Sequence, residues 1–171
     1  VPVRVKVNPD TFDLDLAAIE AAITDKTRLI IVNSPNNPTG KIYPPTTLRA
    51  LANILTKASE RYGRTIYLLS DEAYRRILFD GRIFPSPTMF YPHSFMIYTY
   101  GKTLLTPGQR LGYIALPPTM PNREQMRTAI FSAQLLNGFA ITNALLQHAL
   151  FDIEPLCIDL EHMQQKRDRM V

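Results

Sequence analysis

The chain opens on an alternation, with valine at positions 1, 3, 5 and 7 and Pro2, Arg4 and Lys6 between them. A period of two predicts a short strand, ended by the turn signal Asn8-Pro9-Asp10. The period then lengthens. In LDLAAIEAAITDKT, Leu14, Leu16, Ile19 and Ile23 recur near helical spacing, with Asp13 or Asp15 available as a cap. TRLIIVNS follows as a continuous apolar run, which predicts a buried strand. PTTLRALANILTKASERYG has apolar residues at 48, 51, 54 and 55, and Gly63 stands where a helix C-cap belongs. RTIYLLSDEAY and SFMIYTYGK read as further strands. NREQMRTAIFSAQLL, AITNALLQHALF and DLEHMQQKRDRMV are helical in pattern.

Strands alternating with helices require crossover connections, so the fold class is α/β, with a mostly parallel sheet and helices on both faces. Between FMIYTY and RLGYIALP only about ten residues intervene, fewer than a parallel crossover needs, so one strand there is antiparallel. The last helical pattern runs to Met170-Val171 with no stop signal, and the chain begins without methionine. The expectation is a fragment of a longer enzyme.

At 171 residues with 46% hydrophobic and 20% charged content, the chain can bury one sizeable core. Its net charge of +4 suits an anionic ligand, but it comes with no basic run, so nucleic acid is not an expected partner. The one cysteine, Cys157, excludes an internal disulfide framework and is expected to pack inertly in a helix. No 18-residue apolar run exists, and a soluble, cytoplasmic protein with no membrane association is the expectation. His93, His148 and His162 lack metal-ligand spacing, and no metal site is expected. The serines fall in no nucleophile elbow, and TPGQRLG is no dinucleotide fingerprint.

Chemistry enters at the strand ends. SPNNPTGKIYP, residues 34 to 44, places two asparagines and a glycine among prolines directly after an apolar strand, more than an ordinary turn needs. Asn37 follows this strand, Asp71 follows IYLLS, and Lys102 follows FMIYTY. Alone, each has an ordinary explanation: a turn former, a helix cap, a surface cation. Together they deliver an amide, a carboxylate and an amine to one sheet edge, where open α/β sheets bind ligands. A lysine at the end of a buried strand, between Gly101 and Thr103, is partly desolvated and can act as a nucleophilic amine that forms a Schiff base. An aspartate on a neighbouring strand suits a protonated pyridine nitrogen, the electron sink of pyridoxal phosphate. Arg110, eight residues past Lys102, and Thr99, three before it, suit a phosphate.

These segments resemble the fold-type I pyridoxal-phosphate enzymes, in particular the class I and II aminotransferases. NNPTG is similar to that family's Asn-Pro-Thr-Gly loop, SDEAY to its Asp-x-x-Tyr strand end, and TYGKTLLTPGQRLGY to its Schiff-base lysine segment, in order from about Leu14 to Pro117. The resemblance implies that Lys102 carries the Schiff base and shuttles the proton. It implies that Asp71 pairs with the pyridine nitrogen, that Tyr74 and Asn37 hydrogen-bond the ring oxygen, and that Arg110 with Thr99 holds the phosphate. The catalytic set would be Lys102, Asp71 and Tyr74, and the cofactor-binding set Asn37, Asp71, Tyr74, Thr99, Lys102 and Arg110. The family commonly has serine where Thr99 stands and often serine where Gly101 stands.

The expected division is the central part of the large cofactor-binding domain over 1–150 and, over 151–171, the start of a helix leading to a small C-terminal domain. The implied activity is amino-group transfer between an amino acid and a 2-oxo acid, by a homodimer when full length, with the fragment alone inactive. A carbon-sulfur β-lyase of the same fold, and an aminotransferase-like effector domain of a transcription regulator, remain open alternatives.

Overall fold

The computed structural model describes residues 1–139 and 141–170, so Ala140 and Val171, at the edges of two expected helices, lie outside the described residues. Helix α1 spans Leu16–Ala22, strand β1 Leu29–Asn33, helix α2 Pro45–Arg61, strand β2 Tyr67–Asp71 and strand β3 Ser94–Thr99. The one-turn helix α3 is Tyr100–Thr103, followed by strand β4 Gly112–Ala115 and helices α4 Arg123–Leu136, α5 Ala144–Ile153 and α6 Leu160–Asp168. The sheet order is β1-β2-β3-β4. The first two pairings are parallel and β3 with β4 is antiparallel. This is the mostly parallel α/β sheet with one antiparallel strand expected from the connection lengths.

Helix α1 is capped by Asp15, whose carboxylate accepts from Ala18 N at 2.9 Å. Helix α2 begins with Pro45 in its first turn, where a missing N–H costs nothing, and ends just before Gly63, which takes a positive φ of 64°. Its buried stripe, Leu48, Leu51, Ala52, Leu55 and Ala58, packs with Ile19 and Ile23 of the α1 region and with Val32 and Leu68 of the sheet. A second cluster joins Met96, Tyr98, Tyr100 and Leu111, with Leu146, Leu150 and Ile153 of α5 against it.

The register pairs Val32 with Ser70, Ser70 with Met96 and Met96 with Ala115. Paired residues share a face of the pleated sheet, so both clusters draw on the same face. On the other face Leu29, Ile31 and Ile114 are exposed, Ile31 by 63%. The run LIIV is therefore buried on one side only, where the sequence predicted burial throughout. Helices were expected on both faces, and in the described residues the packed core occupies one.

Val1 to Val7 does not form the expected strand. Its pairing among the described residues is one isolated bridge, Val7 to Leu14, closed by Asn8 N donating to Asp13 O at 2.9 Å. Alternation gives a segment two faces but supplies no neighbouring strand, and Val1 and Val3 are left in solvent. Helix α6 ends at Asp168, and the boundary expected after residue 150 falls inside α5.

Candidate active site

Because β1, β2 and β3 run parallel, their carboxyl ends meet at one sheet edge. There Asn33 pairs with Asp71, and Thr99 pairs with Gly112 at the start of β4. Asn33 ties this edge together: its Nδ2 donates to Asp71 O at 3.1 Å and its Oδ1 accepts from Asn37 N at 2.7 Å. The loop after β1 is held by further bonds. Gly40 N donates to Asn36 O at 2.7 Å, Thr39 Oγ1 to Asn36 Oδ1 at 2.9 Å, and Lys41 Nζ reaches Asp13 at 2.8 Å. Gly40 has φ of 69°, which a side chain would strain. The loop's stiffness is thus a matter of hydrogen bonds as well as of prolines.

The loop delivers Asn37, whose Nδ2 donates to Tyr74 Oη at 3.1 Å. Tyr74 follows the end of β2 by three residues. Asp71 itself keeps Oδ1 on Ala73 N at 3.2 Å, which shapes the turn toward Tyr74. Lys102 comes from the third strand, and here the sequence expectation needs correction. Strand β3 stops at Thr99, and Lys102 lies on the exposed side of α3, so burial of a strand does not desolvate it. A one-turn helix intervenes because Thr99 acts as its N-cap, accepting from Gly101 N at 3.2 Å. The turn's other side is anchored. Thr103 Oγ1 lies 2.6 Å from Tyr98 Oη, and Tyr100 Oη donates to Glu154 of the α5 end. Burial first, and the bond to Glu154 second, push the Tyr100 hydroxyl well above its ordinary range. Held this way, α3 directs Lys102 Nζ to 5.6 Å from the centre of the Tyr74 ring.

Asn37, Tyr74 and Lys102 are thus brought together, with Asp71 joined to them through Asn33. Arg110 and Thr99 are occupied locally. Arg110 is exposed, has φ of 55°, and donates from Nη1 to Pro107 O at 3.1 Å. Thr99 Oγ1 donates to Leu111 O at 3.3 Å. A Cβ on Gly101 would stand 3.0 Å from Pro107 Cα, a tight contact with the backbone of the 107 turn. Cys157 is exposed in the loop between α5 and α6 and not packed in a helix, since the chain leaves α5 before reaching it.

Sequence reasoning missed Asn33, which passed as one more residue of the strand TRLIIVNS. The spacing Asn33-x-x-x-Asn37 across the start of a Pro-rich loop was its signal. Beside Asn37 and Tyr74 opens a cleft of about 420 Å³, bordered by Ile42, Ile77, Phe79, Asp80 and Arg167. At its border Arg167 of α6 makes two bonds of 2.7 Å to the Asp80 carboxylate. No helix among the described residues is long and apolar enough to cross a membrane.

The sequence profile described as "Aminotransferase class I and II" matches residues 1–171. A probable aspartate aminotransferase of Methanocaldococcus jannaschii is 39% identical over 107 residues, covering 63% of this chain and 27% of the relative. An aspartate/prephenate aminotransferase of Cereibacter sphaeroides is 33% identical over 176 residues, covering 99% of this chain and 42% of the relative. Among solved structures, an amino transferase from Eubacterium rectale superposes with a TM-score of 0.92 at 32% identity, over 97% of this chain and 42% of that one. The chain therefore spans well under half the length of the relatives it matches. With the Asn37 loop, the Asp71 to Tyr74 turn and the Lys102 segment converging on one sheet edge, and the profile matching from end to end, this chain belongs to the class I and II aminotransferases, a family of pyridoxal-phosphate-dependent enzymes.

Proposed function

We propose that these residues form the core of an aminotransferase site that exchanges an amino group between an amino acid and a 2-oxo acid, with Lys102 as the Schiff-base lysine. The observation that carries the reading is the meeting of Lys102, Tyr74 and Asn37 at the carboxyl edge of β1 to β3, beside the Asp71 carboxylate. This donor set fits pyridoxal phosphate. Tyr74 Oη accepts the Asn37 amide, so its own proton and the second Asn37 N–H remain free to donate to one acceptor oxygen. Asp71 Oδ1 is engaged by Ala73 N, leaving Oδ2 to hold a proton on a ring nitrogen. Arg110 and Thr99 flank Lys102 and would hold the phosphate after giving up their local bonds to Pro107 and Leu111. When bound, the cofactor supplies a carbonyl for amine exchange and a conjugated ring that accepts electrons. Lys102 Nζ, released when the substrate's amine takes its place, would take the proton from the substrate's Cα and hand it to the cofactor's former carbonyl carbon two atoms along, from its exposed position on α3.

Residues 1–150 are inferred to be the central part of a large cofactor-binding domain and 151–171 the lead into a small C-terminal domain, in a cytoplasmic homodimer. The relatives named as aspartate aminotransferases support transfer over other chemistry.

The test uses the protein expressed from its full reading frame. Borohydride reduction in the presence of pyridoxal phosphate should fix the cofactor on Lys102, Lys102→Ala should lose the label, and amino acids should yield 2-oxo acids. A label on another lysine would sink the assignment. Carbon-sulfur cleavage without amino transfer would identify a lyase, and binding without turnover an effector domain.

A further inference from the structure

The Glu72 carboxyl has no part in the chemistry above, yet among the described residues it is the charged side chain that is fully buried. It sits between the two groups that matter most, directly after Asp71 and two residues before Tyr74. The pleat turns it to the opposite side of the sheet from Asp71 and toward the interior. There Oε1 accepts from Ser70 Oγ at 3.0 Å and from Ser86 Oγ, while Oε2 lies 3.3 Å from Arg75 Nη1. Its backbone N–H donates to Ile97 O of β3 at 3.0 Å, and its carbonyl accepts from Arg75 N at 3.0 Å. Ser86 in turn starts the 3-10 turn Pro87–Met89 and bonds Thr88 Oγ1 at 2.8 Å.

A leucine would fill the same volume at less desolvation cost, but it would leave the two buried serine hydroxyls without this acceptor. What the carboxyl supplies is direction. The segment from Glu72 to Tyr74 has left the parallel ladder of β1 and β2, and the chain from 72 to 93 crosses to β3 with one short 3-10 turn and no α-helix to brace it. Glu72 is the point at which this segment is bonded to β2 itself through Ser70, to β3 through Ile97, and to the far end of the crossover through Ser86.

We propose that Glu72 is a positioning residue whose buried carboxyl, gripped by Ser70, Ser86 and Arg75, fixes the turn that presents Asp71 and Tyr74 to the cofactor. The inference rests on the reading of Asp71 and Tyr74 as cofactor contacts. Loss of the carboxyl lets the turn relax, which moves the Tyr74 hydroxyl relative to Asn37 and alters the proton affinity of the bound cofactor. Substrate affinity changes less, because the substrate does not touch Glu72.

The test compares wild type, Glu72→Gln, Glu72→Ala, Ser86→Ala and Lys102→Ala, all from the full reading frame and loaded with pyridoxal phosphate. Two readouts are taken: the pH titration of the bound cofactor's absorbance, and kcat and KM separately. Glu72→Gln keeps an acceptor oxygen and should retain the titration midpoint and kcat within about threefold. Glu72→Ala should shift the midpoint by about one pH unit and lower kcat by about tenfold with KM little changed, and Ser86→Ala should move both the same way by less. If Glu72→Ala fails to fold, Ser86→Ala decides, since it removes one donor and leaves the carboxyl in place. An unshifted midpoint and kcat in the folded alanine variants would overturn the proposal, and so would a Glu72→Gln protein as impaired as Glu72→Ala. A wild-type protein with no cofactor absorbance, or absorbance unchanged in Lys102→Ala, would instead defeat the site reading on which the proposal rests.

Discussion

Glu72 also makes the stability of the protein depend on pH. Burial is the largest influence on its carboxyl and pushes it above the usual glutamate range; the bond from Ser86, the charge of Arg75 and the bond from Ser70 pull it back, and Asp71 pushes it up again. The folded chain therefore binds this proton more tightly than the unfolded chain. Its stabilising effect is fully present below the unfolded value and is lost as pH rises through the folded one. Glu72→Gln has no proton to lose, so its unfolding free energy in urea should gain on the wild type between pH 4 and pH 8. A variant-minus-wild-type difference in unfolding free energy that falls as pH rises would refute this. Such a residue was hard to see in the sequence, where Glu72 reads as one more acidic position in SDEAY. Asn37, Asp71, Tyr74 and Lys102 stood out because short motifs carry them at or within four residues after strand ends. Asn33 and Glu72 act through partners 38 and 14 residues away, and only the assembled sheet brings those together.

Elements with a strong period were the most legible. Helix α2 follows from its apolar spacing, its proline start and its terminal glycine, and β4 follows from the short connection to β3. The failures have a common cause. Val1 to Val7 and the far side of LIIV carry strand patterns, but whether a strand forms or is covered is decided by neighbours that a local pattern does not specify. The β3 to β4 pairing shows how tightly such neighbours constrain a position. A Cβ on Gly112 would stand 2.5 Å from Tyr98 O, a backbone atom that cannot rotate away. Gly112→Ala should therefore cost on the order of 1–3 kcal/mol in urea unfolding, as overpacking does. Gly108→Ala, with nothing within 4 Å of its Cβ, is the control and should be close to neutral. Equal effects at the two sites would show that the β3 to β4 contact does not set the cost.

At the scale of the whole molecule, the amphipathic pattern showed that each helix has a side to bury but not which face of the sheet receives it. Both core clusters lie on one face, and the other presents Leu29, Ile31 and Ile114 to solvent, with β1 as an edge strand. Helix α4 adds Phe131, Leu135 and Leu136, all exposed. Exposed apolar side chains in this number are costly in water, and an unpaired strand edge offers a template for another chain. Expressed by itself, the 171-residue chain should therefore self-associate, and it should lack transaminase activity, since it carries well under half the length of the relatives it matches. The association should run through β1. Ile31 is 63% exposed on that strand, so Ile31→Lys places a charge in the apolar face and at the edge without touching the core. Light scattering over a range of concentrations should show mass rising with concentration for the parent chain and much less for Ile31→Lys. A parent chain that stays monomeric throughout would show that the open face is tolerated in water. Association unchanged by Ile31→Lys would move the contact to the exposed residues of α4.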